Sequence, residues 1–190
     1  MAVDLSLLIV TYNRIDLAVN LLSYLVREPL VHADGRPLTW EWIVVDNNSP
    51  RKDPVWVERL HAFARDVHPG RFVEHDQNPG YAGGMNLAYA HSSGRMILVC
   101  NPDMVFGPGA LNRMVAYLET HPQVGAVGPK GFWDPRHEVL LPPNILPTLR
   151  DLVGAVQVIV NDRVWVESEL IVDRGTDVGR TNGTINRPRR

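Results

Sequence analysis

Along the first 130 residues the apolar positions alternate between two spacings. Leu5 to Val10 is a short, unbroken apolar run that stops at Thr11, Tyr12 and Asn13, the pattern of a strand buried on both faces. Ile15, Ala18, Leu22 and Leu25 then recur at helical spacing, with Asn13 placed to cap the first turn. Pro29 and the polar stretch His32 to Pro37 close that unit. The same grammar returns with Trp42 to Val45 as a strand, a polar turn from Asp46 to Ser49, and a helix from Pro54 to Val67. Phe72 to His75 is a third, shorter strand. A glycine-rich loop, Asn78 to Gly84, leads into a short helix ending near His91, and Met96 to Cys100 is the fourth strand. Leu111, Met114, Val115 and Leu118 put one apolar face on a further helix before Val124 to Val127 return as a strand.

Parallel strands need crossovers, and right-handed crossovers stack helices outside the sheet. Five alternations with short connections therefore predict an α/β fold with a mostly parallel central sheet and helices on both faces. The pattern stops at about Gly128. Pro129, Pro135, Pro142, Pro143 and Pro147 interrupt any long element, so Lys130 to Arg150 reads as irregular. Val153 to Val160 and Arg163 to Val172 read as two strands around a turn at Asn161 and Asp162. From Asp173 onward Gly, Thr, Asn, Arg and Pro dominate, the composition of a flexible tail. The expectation is one domain over 1–172, comprising 1–129 and an irregular remainder 130–172, with a tail at 173–190; a 190-residue chain suffices for one core.

Composition removes several classes of function. A net charge of -2 without long runs leaves no footprint for nucleic acid, and the one basic cluster, Arg187 to Arg190, reads as a solvated end. The single cysteine, Cys100, excludes an intramolecular disulfide and is expected to be buried; no Cys/His cluster has zinc spacing. The start of the chain carries Asp4 rather than a basic flank. Its apolar run is too short for a signal-peptide core or a membrane span, which gives a cytoplasmic expectation. Only Lys52 and Lys130 of the 19 basic residues are lysine, a bias that fits a GC-rich bacterial genome.

In a doubly wound sheet ligands bind outside the carboxyl ends of the strands. Each of the first four strands leads into polar groups there: Thr11, Tyr12, Asn13 and Arg14; Asp46, Asn47, Asn48 and Ser49; Asn78 to Asn86; and Asn101, Pro102 and Asp103. Ordinary turn and capping chemistry is the alternative for any one set. Four sets at the same end of one sheet converge on a ligand.

The segments LLIVTYNR, WIVVDNNSP, NPGYAGGMNLAYA and ILVCNPDM resemble, in order and spacing, the donor-binding half of family 2 glycosyltransferases. The rhamnosyltransferase-like branch is the nearest pattern, with an Asn-x-Gly-(Phe or Tyr)-Ala-x-Gly-x-Asn loop and Asn-Pro-Asp where other members carry Asp-x-Asp. The match runs from Leu5 to Pro129. The resemblance implies a Rossmann-like GT-A nucleotide-diphospho-sugar transferase fold. It further implies an inverting, metal-dependent transfer of a hexosyl or rhamnosyl group to the hydroxyl of a saccharide or lipid-linked acceptor, in polysaccharide, glycolipid or glycoconjugate synthesis. Peripheral membrane association through the acceptor, and a homodimer, are compatible with it.

Residue roles follow the motifs. A nucleotide-sugar pyrophosphate carries about two negative charges, which a hard divalent cation, Mn²⁺ or Mg²⁺, neutralises through oxygen ligands. Asp103 is the expected metal ligand; Asn101 can bond a hydroxyl, and Pro102 stiffens the turn between them. Asp46, with Asn47 and Asn48, is the expected acceptor for base N–H or ribose hydroxyl groups, and Thr11, Asn13 and the Tyr12 ring flank it; core packing is the alternative for Tyr12. Arg14 has three candidate partners, a phosphate, Asp16 and Asp46. Gly80, Gly83 and Gly84 let backbone approach a ligand before a helix N-terminus, and Asn78 and Asn86 frame the sugar and phosphate side. The glycines do not match the dinucleotide fingerprint and follow the third strand rather than the first, which excludes an NAD reading.

An inverting transferase needs a general base, which the resembling family supplies from a Glu-Asp motif after a Gly-Gly-Phe-Asp-like segment. Neither segment occurs in this sequence, so no catalytic base is assigned. Glu167, Glu169, Asp173 and Asp177 are the late carboxylates; Glu167 and Glu169 would share one face of a strand, as a solvated edge does. Three readings remain open: an active transferase of reduced size, a family member that binds donor without transfer, and a nucleotidyltransferase-like protein using Asp103 and metal on a nucleoside triphosphate.

Overall fold

The computed structural model describes residues 2–129, 157–161, 166–167 and 170–171. Its elements are β1 (Leu5–Thr11), α1 (Ile15–Leu25), β2 (Trp40–Asp46), α2 (Pro54–Asp66), β3 (Gly70–Glu74), α3 (Gly80–Ala90), β4 (Met96–Cys100), α4 (Ala110–Thr120), β5 (Ala126–Val127), β6 (Gln157–Asn161), β7 (Val166–Glu167) and β8 (Leu170–Ile171). The main sheet has the order β3-β2-β1-β4-β6-β5. Strands β1 to β4 are mutually parallel, and β6 enters antiparallel to both β4 and β5.

The period-2 geometry of the strands sorts the core into two layers. Leu5, Leu7 and Ile9 of β1, Trp42 and Val44 of β2, and Met96, Leu98 and Cys100 of β4 face α1, α2 and α4. Their alternate neighbours Leu8, Val10, Ile43, Val45 and Ile97 face Met85 and Ala88 of α3. Helices therefore cover both faces, as the unbroken apolar runs require. The chain steps from β1 outward to β2 and β3 with α1 and α2 on one side. It then returns through α3 on the other side to β4, so the order reverses between β1 and β4.

Several expectations shift. The antiparallel β6 overlaps the expected Val153 to Val160 strand but runs on through Asn161, where a turn was expected, and it inserts between β4 and β5. The expected second strand, Arg163 to Val172, is in its described parts the short hairpin β7–β8. The irregular segment 130–150 and the tail lie outside the described residues. Asn13 does not cap α1: Arg14 holds the cap position without a side-chain bond, and Asn13 Oδ1 instead accepts from the Arg51 N–H at 3.0 Å. The expected glycine-rich loop is shorter than its motif, because α3 already begins at Gly80. Among the described residues no helix is long and apolar enough to cross a membrane.

Candidate functional site

The loops at the carboxyl ends of β1, β2 and β3 are stitched together by polar side chains. Asn13 and Asn48 both adopt left-handed backbone, φ 59° and 56°, a region asparagine tolerates better than most residues. Asn13 N–H donates to Ser49 Oγ at 2.7 Å, and Asn48 Nδ2 donates to the Asp76 carbonyl at 3.1 Å. Asn47, 3% exposed, donates through Nδ2 to the Gly80 carbonyl at 2.8 Å. Its Oδ1 is buried without a hydrogen-bond partner among the described residues and rests against Gly84; a Cβ there would lie 2.6 Å from Oδ1 and 2.9 Å from Val10 Cγ1. Gly84 thus lets α3 approach the end of β2. Gly80, at φ 76°, takes the turn into the helix, and its N–H is held by Asn78 Oδ1 at 3.0 Å. Asn86 sits half-buried one turn beyond Ala82.

Asp46 is fully buried at the end of β2. Its Oδ2 accepts from the Ser49 N–H at 3.1 Å and pairs with Lys52 Nζ at 3.1 Å; its Oδ1 accepts from the Ser49 hydroxyl and, at 3.5 Å, from Thr11. Both oxygens are engaged by the protein, so Asp46 forms the floor of this corner rather than an open acceptor. Ser49 belongs to the expected polar set after β2, whereas Lys52 and its second partner, Glu74, lie outside the four expected sets. Only the register Asp46↔Glu74 between β2 and β3 brings that pair together.

The corner after β4 has the opposite character. Asn101 and Pro102 are half-buried and Asp103 is exposed. The Asp103 carboxylate makes no hydrogen bond or ion pair among the described residues. Its charge still reaches its surroundings: it helps raise the pKa of the Cys100 thiol, after the larger effect of burial, and it adds to the raised pKa of Arg14. Cys100 is accordingly a neutral core thiol, as its sequence setting implied. Arg14 resolves its three candidate partners by gripping Asp16, with Nε and Nη2 each donating at 3.0 Å, and that bond is the first cause of its raised pKa. Tyr12 is 49% exposed and is not core, while Val105 is 77% exposed on the β4 side. Loop β1 and loop β4 thus bound the crevice where the strand order reverses.

The sheet order, with its one antiparallel strand β6 between β4 and β5, and the reversal of order between β1 and β4 are those of a GT-A glycosyltransferase fold. The chain belongs to glycosyl transferase family 2, whose sequence model matches residues 6–156. It is 29% identical over 116 residues to the uncharacterized glycosyltransferase YwdF of Bacillus subtilis (strain 168), covering 61% of this chain and 38% of that protein. Among solved structures it resembles the mannosyltransferase PcManGT of Pyrobaculum calidifontis in complex with GDP-Man and Mn²⁺, with a TM-score of 0.56 and 25% identity over 67% of this chain and 35% of that one. S. aureus TarS 1-349 gives a TM-score of 0.57 at 18% identity, covering 84% and 47% of the two chains. Mannosyl-3-phosphoglycerate synthase of Rubrobacter xylanophilus gives 0.55 at 14% identity, covering 84% and 53%. The chain spans 38% of the curated relative it matches and about half or less of these structures.

Proposed function

We propose that this chain binds a nucleotide-diphosphate sugar at the crevice between β1 and β4, with Asp103 as its metal ligand, and transfers the sugar to an acceptor hydroxyl. The observation that carries this reading is the contrast between two aspartates. Asp46 is satisfied by protein donors, whereas Asp103 stands exposed and without a partner among the described residues at the point where strand order reverses.

The donor set suits a hard cation shared with the nucleotide. No group of three or more His, Cys, Asp or Glu side chains among the described residues can hold a metal ion. One carboxylate binds Mg²⁺ or Mn²⁺ adequately only when diphosphate oxygens and water complete the shell. Asp103 would hold such an ion, which when bound would neutralise charge on the diphosphate leaving group. Of the chain's own groups, Asn101 offers an amide to a ribose or sugar hydroxyl and Tyr12 an exposed aromatic face to the base. The Gly80 start of α3, framed by Asn78, Gly83, Gly84 and Asn86, brings backbone close to the sugar and phosphate side. Arg14, held by Asp16, adds a positive charge close enough for Asp103 to contribute to its raised pKa.

The finer assignment is the rhamnosyltransferase-like branch, with an inverting transfer to a saccharide or lipid-linked acceptor at the cytoplasmic side of a membrane. A panel of nucleotide-sugars with Mn²⁺ tests it by release of nucleoside diphosphate. Release of UDP or dTDP that rises when saccharide acceptors are added supports transfer. Release without any acceptor dependence contradicts it.

A further inference from the structure

The stretch that carries Asp103 runs from the end of β4 to the start of α4, and residues 101–109 belong to no helix or strand. Two hydrogen bonds fasten it to α1 and the residues just beyond that helix. Tyr24, in the last turn of α1, donates its hydroxyl hydrogen to the Phe106 carbonyl at 2.7 Å. Glu28 Oε2 accepts from the Gly109 N–H at 3.1 Å. The Phe106 ring is 4% exposed in the core layer that α1 helps to build, and Tyr24 and Met104 pack against the same layer. Val105, between Met104 and Phe106, points the other way and is 77% exposed.

Asp103 is thereby tethered on both sides. Cys100, three residues before it, is fully buried and paired with Ile9 of β1 and Gln157 of β6. Phe106 stands three residues after it. Three residues span at most about 11 Å, so the places of Cys100 and Phe106 confine Asp103. The sheet ladder fixes the first tether. The second has no ladder, and its backbone is held by the Tyr24 hydroxyl.

We infer that Tyr24 is a positioning residue for the metal site: by fixing the Phe106 carbonyl, its hydroxyl holds Asp103 in place for the cation, resting on the metal-assisted donor binding proposed above. Metal–oxygen bonds of about 2 Å tolerate little displacement of the ligand. A site with a single protein carboxylate has no second side chain to restore the aim if the loop drifts. A loop ordered beforehand also spares binding the entropy of ordering it. Tyr24 lies on a helix outside the four motif segments, 82 residues before its partner, so nothing in the local pattern around Asp103 encodes it.

Calorimetry with UDP and with GDP, each across a range of Mn²⁺, tests this on the wild type, Tyr24→Phe and Glu119→Gln. Tyr24→Phe removes one hydroxyl and keeps the ring against the core, so it should fold. The Mn²⁺ concentration for half-maximal nucleotide binding should rise about threefold to tenfold in Tyr24→Phe, while affinity without Mn²⁺ stays as it was. Glu119→Gln weakens bonds to His32, Ala33 and Arg95 at the far end of α4 and should keep the wild-type Mn²⁺ dependence. Amide hydrogen exchange on the metal-free proteins gives a second readout: Met104, Val105 and Phe106 should exchange faster in Tyr24→Phe than in the wild type. An unchanged Mn²⁺ requirement or unchanged exchange in Tyr24→Phe, an equal Mn²⁺ shift in Glu119→Gln, or an equal loss of binding without Mn²⁺ would each overturn the inference and leave donor binding standing. If Mn²⁺ adds nothing to nucleotide binding in the wild type, the metal-assisted reading itself fails and this inference falls with it.

Discussion

Asp46 ends β2 and Asp103 follows β4, the two strands that flank β1, and their surroundings decide what each can do. A carboxylate buried at the end of a strand must find donors within the protein, and Asp46 finds Ser49, Thr11 and Lys52. Asp103 keeps its capacity for an outside partner. Gly84 belongs to the same scale. Helix propensity alone favours alanine there by about 1 kcal/mol, but the added methyl would meet Asn47 Oδ1 and Val10 inside normal contact distance. Gly84→Ala should therefore destabilise the fold by about 1–3 kcal/mol, measured by urea denaturation. A more stable variant would show that α3 does not press against β2 this closely. The glycine motif marks Gly84 as a point of close approach but does not encode what it approaches, because Asn47 and Val10 lie elsewhere in the chain.

At the scale of elements, strands β1, β2 and β4 were legible because burial on both faces leaves continuous apolar runs. The start of α3 was not, since Gly80, Gly83 and Gly84 oppose a helix by propensity and only packing against β1 and β2 enforces one. The antiparallel insertion of β6 between β4 and β5 depends on a pairing far along the chain, which local pattern does not encode. Helix α2 shows the readable case: Asp53 caps it by accepting from Val55 N–H at 2.9 Å, with Pro54 at the first helical position. Asp53→Ala should cost about 1 kcal/mol in chemical denaturation, and an unchanged midpoint would remove the cap from the account.

At the scale of the whole molecule, the end of the sheet opposite the crevice is fastened by ionisable groups that the motif reading did not reach. His32 Nδ1 lies 2.7 Å from Glu119 Oε1 and its Nε2 lies 3.3 Å from Asp4 Oδ2, while Arg95 also pairs with Glu119 at 3.2 Å. These contacts join the start of β1, the loop before β2 and the end of α4. Burial works against both carboxylates. It is outweighed by Thr39 hydrogen bonds and the His32 charge at Asp4, and by the Ala33 N–H, His32 and Arg95 at Glu119, so both pKa values are lowered. A lowered folded pKa adds stability above the unfolded value and loses it as pH falls through the folded value. Their contribution should be full above the ordinary values of 3.8 and 4.5 and should vanish below the depressed ones. Glu119→Gln should be destabilised by about 1–2 kcal/mol at pH 7, and its gap from the wild type should close as the pH is lowered toward 3. A gap independent of pH would contradict this.

The site itself was legible as four polar segments because each follows a readable strand, and their convergence follows from the sheet order. The measurement that tests the central claim most directly is the melting temperature with a nucleoside diphosphate and Mn²⁺, on the wild type and Asp103→Ala. A ligand at about 100 times its Kd stabilises by about 2.7 kcal/mol, which for a domain of this size is roughly 5–10 °C. The account predicts that rise in the wild type only when nucleotide and metal are both present, and none in Asp103→Ala. An equal rise in the variant would remove Asp103 from the metal site and contradict the account.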